Sequence, residues 1–246
     1  VSQHGAAPAG APRVPGLARR PRSGLLERET SEFDRGLSFF DAIYAFAITL
    51  LITNVDVPPD ATWEDPGALV ATGVLHQLGG FVLGFIVIAL FWRVNVTLVK
   101  RITAMDPATT TANLVAAAFV ILIPFTTQGM SDPTAAAYGL PTAIYAANIA
   151  LASLAQLAMY EVARRRGVEV RPTTRRENVA HVLDSLATPL IFLASIPVAL
   201  AWGGYVGKLS WLVLLLVAPL AEHLAWRGVP APGPATGPPD ALDNPT

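Results

Sequence analysis

The residues of this chain best placed to do chemistry are a carboxylate and two hydroxyls on one apolar run, RGLSFFDAIYAFAITLLITNV, residues 35–55. Asp41 is the single charge between Gly36 and Val55. A carboxylate is costly in lipid, so Asp41 must face protein or water and have a partner. Thr49 and Thr53 add hydroxyls to the same apolar run. Together with Ala42 and Phe46 they are spaced by four, three and four, which places all four on one face of a helix. Threonine back-bonding and small-residue packing account for the same spacing in an isolated helix.

The element that must position these groups is a membrane-spanning helix. Gly36 to Val55 is twenty residues, and a rise of ~1.5 Å per residue carries that length across ~30 Å of hydrocarbon. Composition agrees. The chain has 246 residues, of which 52% are hydrophobic and 14% charged, with a mean hydropathy of +0.47. Ordinary soluble domains carry about 25% charged residues. A net charge of −1 lacks the basic face that nucleic acid requires. The absence of cysteine excludes disulfides and thiolate metal sites.

Five further apolar stretches follow, at about residues 78–99, 108–128, 137–160, 179–202 and 209–226, with a short interfacial helix expected over 66–77. Sixteen of the seventeen lysines and arginines fall at one set of helix ends, and only Lys208 falls at the other. By the positive-inside rule this gives an all-α integral membrane protein of six helices, with both termini and Asp41 on the cytoplasmic side. The expected organisation is a disordered basic tail over 1–34, a transmembrane domain over 35–227, and a flexible Pro- and Gly-rich tail over 228–246.

Arg35, Phe39 and Asp41, followed by Thr49-Leu50-Leu51, resemble the R-x-x-x-F-S-D signature that opens the first helix of the TMEM175 family of potassium channels. Asn113 and Pro124 on the third stretch resemble that family's early Asn and late Pro. Trp92 stands where the family has Trp, and Asn95 where it has His three residues later. The resemblance covers roughly 35–227 and is most specific over the first three helices. It implies a homotetramer in which the first helix of each subunit lines a central pore for monovalent cations, with no cofactor. By position, Phe46 is the constriction, where the family has Ile or Leu, and Thr49 and Thr53 form a hydroxyl layer. Ala42 lies on the same face. Arg35, Phe39, Asp41, Trp92, Asn95 and Asn113, with Arg93, are expected to form a network at the cytoplasmic side that holds the pore helix. Phe40 replaces the signature's Ser and removes one hydroxyl.

Other groups carry less. GGYVG at 203–207 lacks the Thr-Val lead of a carbonyl filter and separates Tyr from the next Gly, so it reads as a loop. His181 with Asp184, and Glu222 with His223, read as headgroup-level polar residues. No set of His and carboxylates has metal-ligand spacing, and no nucleophile has a base at a recognisable offset, so no enzyme is expected. The leading function is a potassium-preferring leak channel of a bacterial plasma membrane. The alternative is a secondary transporter with Asp41 or His181 as its proton site.

Overall fold

The computed structural model describes residues 26–28 and 30–227. The expected tails therefore lie largely outside the described residues. The pore-helix candidate, α1 (Ser31–Leu50), starts four residues ahead of Arg35. Thr30 sets that start: its hydroxyl accepts from the Phe33 amide, and Glu32 and Asp34 in the first turn oppose the helix dipole. After Leu50 the helix tightens into a 3-10 turn over Leu51–Asn54.

A second 3-10 turn (Asp60–Glu64) and the short helix α2 (Pro66–Ala71) follow. The interfacial helix expected over 66–77 is thus shorter. Gly73, at φ 81°, ends it and lets α3 (Val74–Lys100) begin. A side chain at Gly73 would also run into Pro133.

The third apolar stretch is divided. α4 (Pro107–Ile121) gives way at Leu122 to α5 (Ile123–Ser131). Pro124 explains the break, because it has no amide to give to the residue four back. α6 (Gly139–Arg166) and α7 (Arg175–Trp202) are the long central helices, and α7 runs through Pro189 and Pro197 without ending. The GGYVG stretch is mostly helical, which corrects the loop reading: α8 (Gly204–Ser210) begins one residue after Gly203. A turn at Trp211 and Leu212 separates it from α9 (Val213–Ala225).

Five of the described helical stretches are long and apolar enough to cross a membrane: residues 31–54, 74–100, 107–131, 139–166 and 175–202. The sixth expected span, over 209–226, is where the structure differs. Its uninterrupted helix, α9, has 13 residues, short of the ~20 that a span needs.

α6 is the axis of the packing, against α4, α5, α7 and α8, and α1 lies on α3 and α4. One core cluster joins Tyr44 and Ala47 of α1, and Leu51 of the 3-10 turn after it, to Ile88 and Phe91 of α3 and to Tyr145 and Ile149 of α6. A second, around Phe33, Phe40, Leu98 and Met159, sits nearer the Lys100 end of the bundle. Glycine lets α3 approach closely. A Cβ at Gly84 would lie 2.7 Å from Leu51 Cδ2, and one at Gly80 would overlap Ser131.

The basic ends of the helices are tied together. Leu26–Glu27 (β1) pairs antiparallel with Ala104–Met105 (β2), and Ile102 bridges to Glu169. Arg166 pairs with Asp106 at 3.0 Å, and Glu161 holds both Arg164 and Arg165 at 2.7 Å. Asp106 also caps α4 through Thr109. Burial alone would raise the Asp106 carboxyl, but the hydrogen bonds from Thr109 and the Arg166 charge bring it below its usual range.

Candidate functional site

The two faces of α1 have opposite surroundings in the single chain. Phe40, Tyr44, Ala47 and Leu51 are buried against the other helices. Ala42, Phe46, Thr49 and Thr53 are exposed, and Phe46 leaves 69% of its surface open. The separation follows from the sequence, since positions 40, 44, 47 and 51 repeat every three or four residues just as 42, 46, 49 and 53 do.

The hydroxyls on the exposed face are oriented. Thr49 Oγ1 donates to the Phe46 carbonyl at 2.8 Å, and Thr53 Oγ1 donates to the Leu50 carbonyl at 2.7 Å. Each hydroxyl proton is thereby turned toward the backbone, so the lone pairs are what the exposed face presents. An oxygen in that state can accept from water or touch a cation. The 3-10 turn has a consequence that the spacing alone did not reveal. Residues three apart eclipse in such a turn, so Thr53 stacks over Leu50, about 100° around the axis from Thr49, and the exposed face widens there to take in Leu50; this departs from the single stripe read from the spacing.

The polar residues expected to form one network separate into pairs. Trp92 Nε1 donates to Asp41 Oδ1 at 2.9 Å, tying α1 to α3. Asn95 Nδ2 donates to Asn113 Oδ1 at 2.6 Å, tying α3 to α4 within the buried interior. Asn95 Oδ1 and Asn113 Nδ2 have no further partner. Arg35 and Arg93 are exposed, and neither forms an ion pair with Asp41. Geometry explains the first case: six residues along a helix turn through about 600°, so Arg35 and Asp41 point about 120° apart. The Asp41 carboxylate is thus held by an indole, where the sequence had placed it beside arginine. Phe39 is 55% exposed and meets Phe40 edge-on at 5.7 Å.

A further buried contact joins three helices. Gln156 Nε2 donates to the Phe91 carbonyl at 2.9 Å and to the Tyr44 hydroxyl at 3.3 Å, so a single side chain of α6 fixes both α1 and α3. The signal for it was present in the sequence, as an amide placed within an otherwise apolar helix. His181 lies against the Tyr160 ring at 4.2 Å. Among the described residues, no group of three or more His, Asp or Glu could hold a metal ion.

These features define a class: a helical protein whose long apolar helices suit a membrane, with one helix carrying a hydroxyl-bearing face that the rest of the chain leaves uncovered. Residues 35–124 match the family model described as the endosomal/lysosomal potassium channel TMEM175. A potassium channel from Streptomyces collinus is 27% identical over 192 residues, which cover 71% of this chain and 89% of that protein. The crystal structure of a lysosomal potassium-selective channel TMEM175 homolog from Chamaesiphon minutus has the same fold, with a TM-score of 0.61 and 20% identity over 80% of this chain and 99% of that one. The resemblance to TMEM175 channels read from Arg35, Phe39, Asp41 and the third helix is borne out. The matched segment runs from the signature arginine to Pro124, at the α4–α5 break.

Proposed function

We propose that this protein is a potassium-selective, leak-type cation channel of a bacterial plasma membrane. Four copies assemble around one axis, and α1 of each copy faces the path. Phe46 forms the narrow point and excludes water when the four rings meet. Thr49 and Thr53 supply oxygens that replace part of the hydration shell of the ion, and Ala42 leaves room below the constriction. Asp41 with Trp92, and Asn95 with Asn113, hold the pore helix to its neighbours. Asp41 acts in assembly and not as an ion ligand. In this reading the α8–α9 stretch completes a sixth crossing, and both termini are cytoplasmic.

The observation that carries the proposal is the uncovered face of α1. An apolar helix that buries one side within its subunit and leaves Phe46, Thr49 and Thr53 open needs a second occupant for that side. Lipid suits the phenyl ring but gives nothing to a row of oxygen lone pairs. The named relatives, a potassium channel and a potassium-selective channel homolog, support cations as what passes.

Liposome reconstitution tests it. Ohmic potassium flux that exceeds sodium flux and needs no coupling ion is the expected result. Flux that carries protons in fixed ratio would instead favour a transporter working through Asp41 or His181.

A further inference from the structure

We infer that Asn54 is a positioning residue for ion selectivity, because it sets the rotation of the outer turn of α1 through a hydrogen bond to the Pro124 carbonyl. The inference rests on the reading of α1 as the pore helix and deepens it.

α1 does not end as an ordinary helix. It is α-helical through Leu50 and then tightens over Leu51–Asn54, with the Val55 amide donating to the Ile52 carbonyl at 3.1 Å. An α-helix turns ~100° per residue and a 3-10 helix ~120°. From Leu50 to Thr53 the tighter winding therefore adds about 60° of rotation. That rotation places Thr53 over Leu50; its hydroxyl bond to the carbonyl three residues back is one that Thr49 also makes within the regular helix. Wound as a plain helix, the same threonine would point elsewhere.

Three contacts hold this turn. Leu51 is fully buried and fits against Gly84 of α3, where there is no Cβ to obstruct it. Asn54 Nδ2 donates to the Pro124 carbonyl at 2.8 Å, from a partly buried position. Asp56, just beyond, is clasped by Gln77: its amide donates to Gln77 Oε1 at 3.0 Å, and Gln77 Nε2 donates to its carboxylate at 2.7 Å. Each does a different job. An apolar side chain such as Leu51 fixes depth but is tolerant of rotation, because dispersion contacts are not directional. The Asp56–Gln77 clasp is exposed, and water competes for both partners. The Asn54 bond is directional, less exposed than the Asp56–Gln77 clasp, and anchored on Pro124 in the first turn of α5, so it fixes the angle.

Selectivity between potassium and sodium depends on how many oxygens reach the ion and how firmly they are held. Freeing the outer turn should blur the Thr53 layer while leaving Phe46 and Thr49, which lie within the regular helix, in place. The predicted signature is a loss of selectivity without a loss of assembly.

The test compares Asn54→Leu, which keeps the shape and removes the donor, with Asn54→Gln, which keeps a carboxamide. Potassium-to-sodium permeability ratios are read from reversal potentials in bilayers, beside the oligomer peak in size-exclusion chromatography. Asn54→Leu should assemble normally and lose on the order of two- to tenfold in the ratio, the factor that one net hydrogen bond is worth. Asn54→Gln should stay closer to the wild type. If Asn54→Leu does not assemble, Asn54→Ser, too short to reach Pro124, replaces it with the same expected loss. An unchanged ratio in the assembled donor-free variant overturns the inference, and so does an equal loss in Asn54→Gln. Thr49→Ala, run alongside, separates this failure from a deeper one. If it shifts the ratio while Asn54→Leu does not, only the role of Asn54 falls. If neither Thr49→Ala nor Phe46→Ala alters permeation, the pore assignment itself falls.

Discussion

Replacing Phe46 by Ala separates a pore residue from a packing residue, because the neighbouring aromatic on the opposite face provides an internal contrast. Truncating a fully buried Phe to Ala costs ~3–5 kcal/mol. Phe46 is 69% exposed, so only about a third of the ring packs against the rest of the chain. The expected cost to the fold is therefore ~1–1.5 kcal/mol. Tyr44, two residues earlier, is 1% exposed and takes a hydrogen bond from Gln156. Tyr44→Ala should cost the full ~3–5 kcal/mol, with the lost hydrogen bond in addition. For permeation the order reverses. Moving one Phe side chain between water and an apolar setting is worth ~1.5–3 kcal/mol. If the water-excluding barrier drops by that amount, flux rises about 10- to 100-fold. The assay is potassium flux into liposomes, normalised to the assembled fraction, with thermal unfolding in detergent measured on the same samples. Flux at or below wild type in a well-assembled Phe46→Ala sample would refute the constriction. Destabilisation as large as that of Tyr44→Ala would show that the ring is buried in a subunit after all.

Three further outcomes follow from the same geometry. Asp41→Ala leaves the Trp92 indole without its acceptor and should cost ~1.5–3 kcal/mol, seen as a smaller assembled fraction with an unchanged permeability ratio in the channels that remain. Normal assembly with altered selectivity would instead make Asp41 an ion ligand. Gly80→Ala should lower the unfolding temperature, because the added methyl overlaps Ser131, an overpacking cost of ~1–3 kcal/mol; an unchanged melting curve would mean that α3 and α5 are not in contact there. Asp106→Asn, which keeps a capping oxygen for the Thr109 amide, should destabilise by up to about 1 kcal/mol at pH 7 through the lost pair with Arg166. The Asp106 carboxyl lies below its ordinary value of 3.8, so the stability it adds is complete above that pH and fades as pH falls through the lower, folded-state value. The gap between variant and wild type should therefore close on acidification below about pH 4, and a gap independent of pH would contradict the assignment.

What the sequence made legible was local. The two faces of α1 could be read from residue spacing, and the signature residues Arg35, Phe39 and Asp41 pointed to the family that the comparisons support. The start of α1 carries an ordinary capping signal, Thr30 ahead of Ser31-Glu32. Long-range partners were not legible. Nothing near Asp41 indicates that its partner is an indole 51 residues away and not the arginine six residues before it, since that choice depends on how α1 rotates against α3. The same holds for Gln156 with Tyr44 and for Asn54 with Pro124, where the two ends are joined only by packing. The division of the last apolar stretch at Trp211 and Leu212 was hidden for a different reason. Hydropathy counts apolar residues over a window and does not register a turn between them.

The central claim is that the open face of α1 borders the ion path, and the lack of cysteine throughout the chain makes it directly measurable. Single substitutions Thr49→Cys and Ala42→Cys on the open face, with Ala47→Cys on the buried face, can be reacted with a charged methanethiosulfonate while potassium flux is followed. The account predicts rapid loss of flux for Thr49→Cys and Ala42→Cys and none for Ala47→Cys. Equal insensitivity of all three in conducting channels, or block at Ala47→Cys alone, would contradict it.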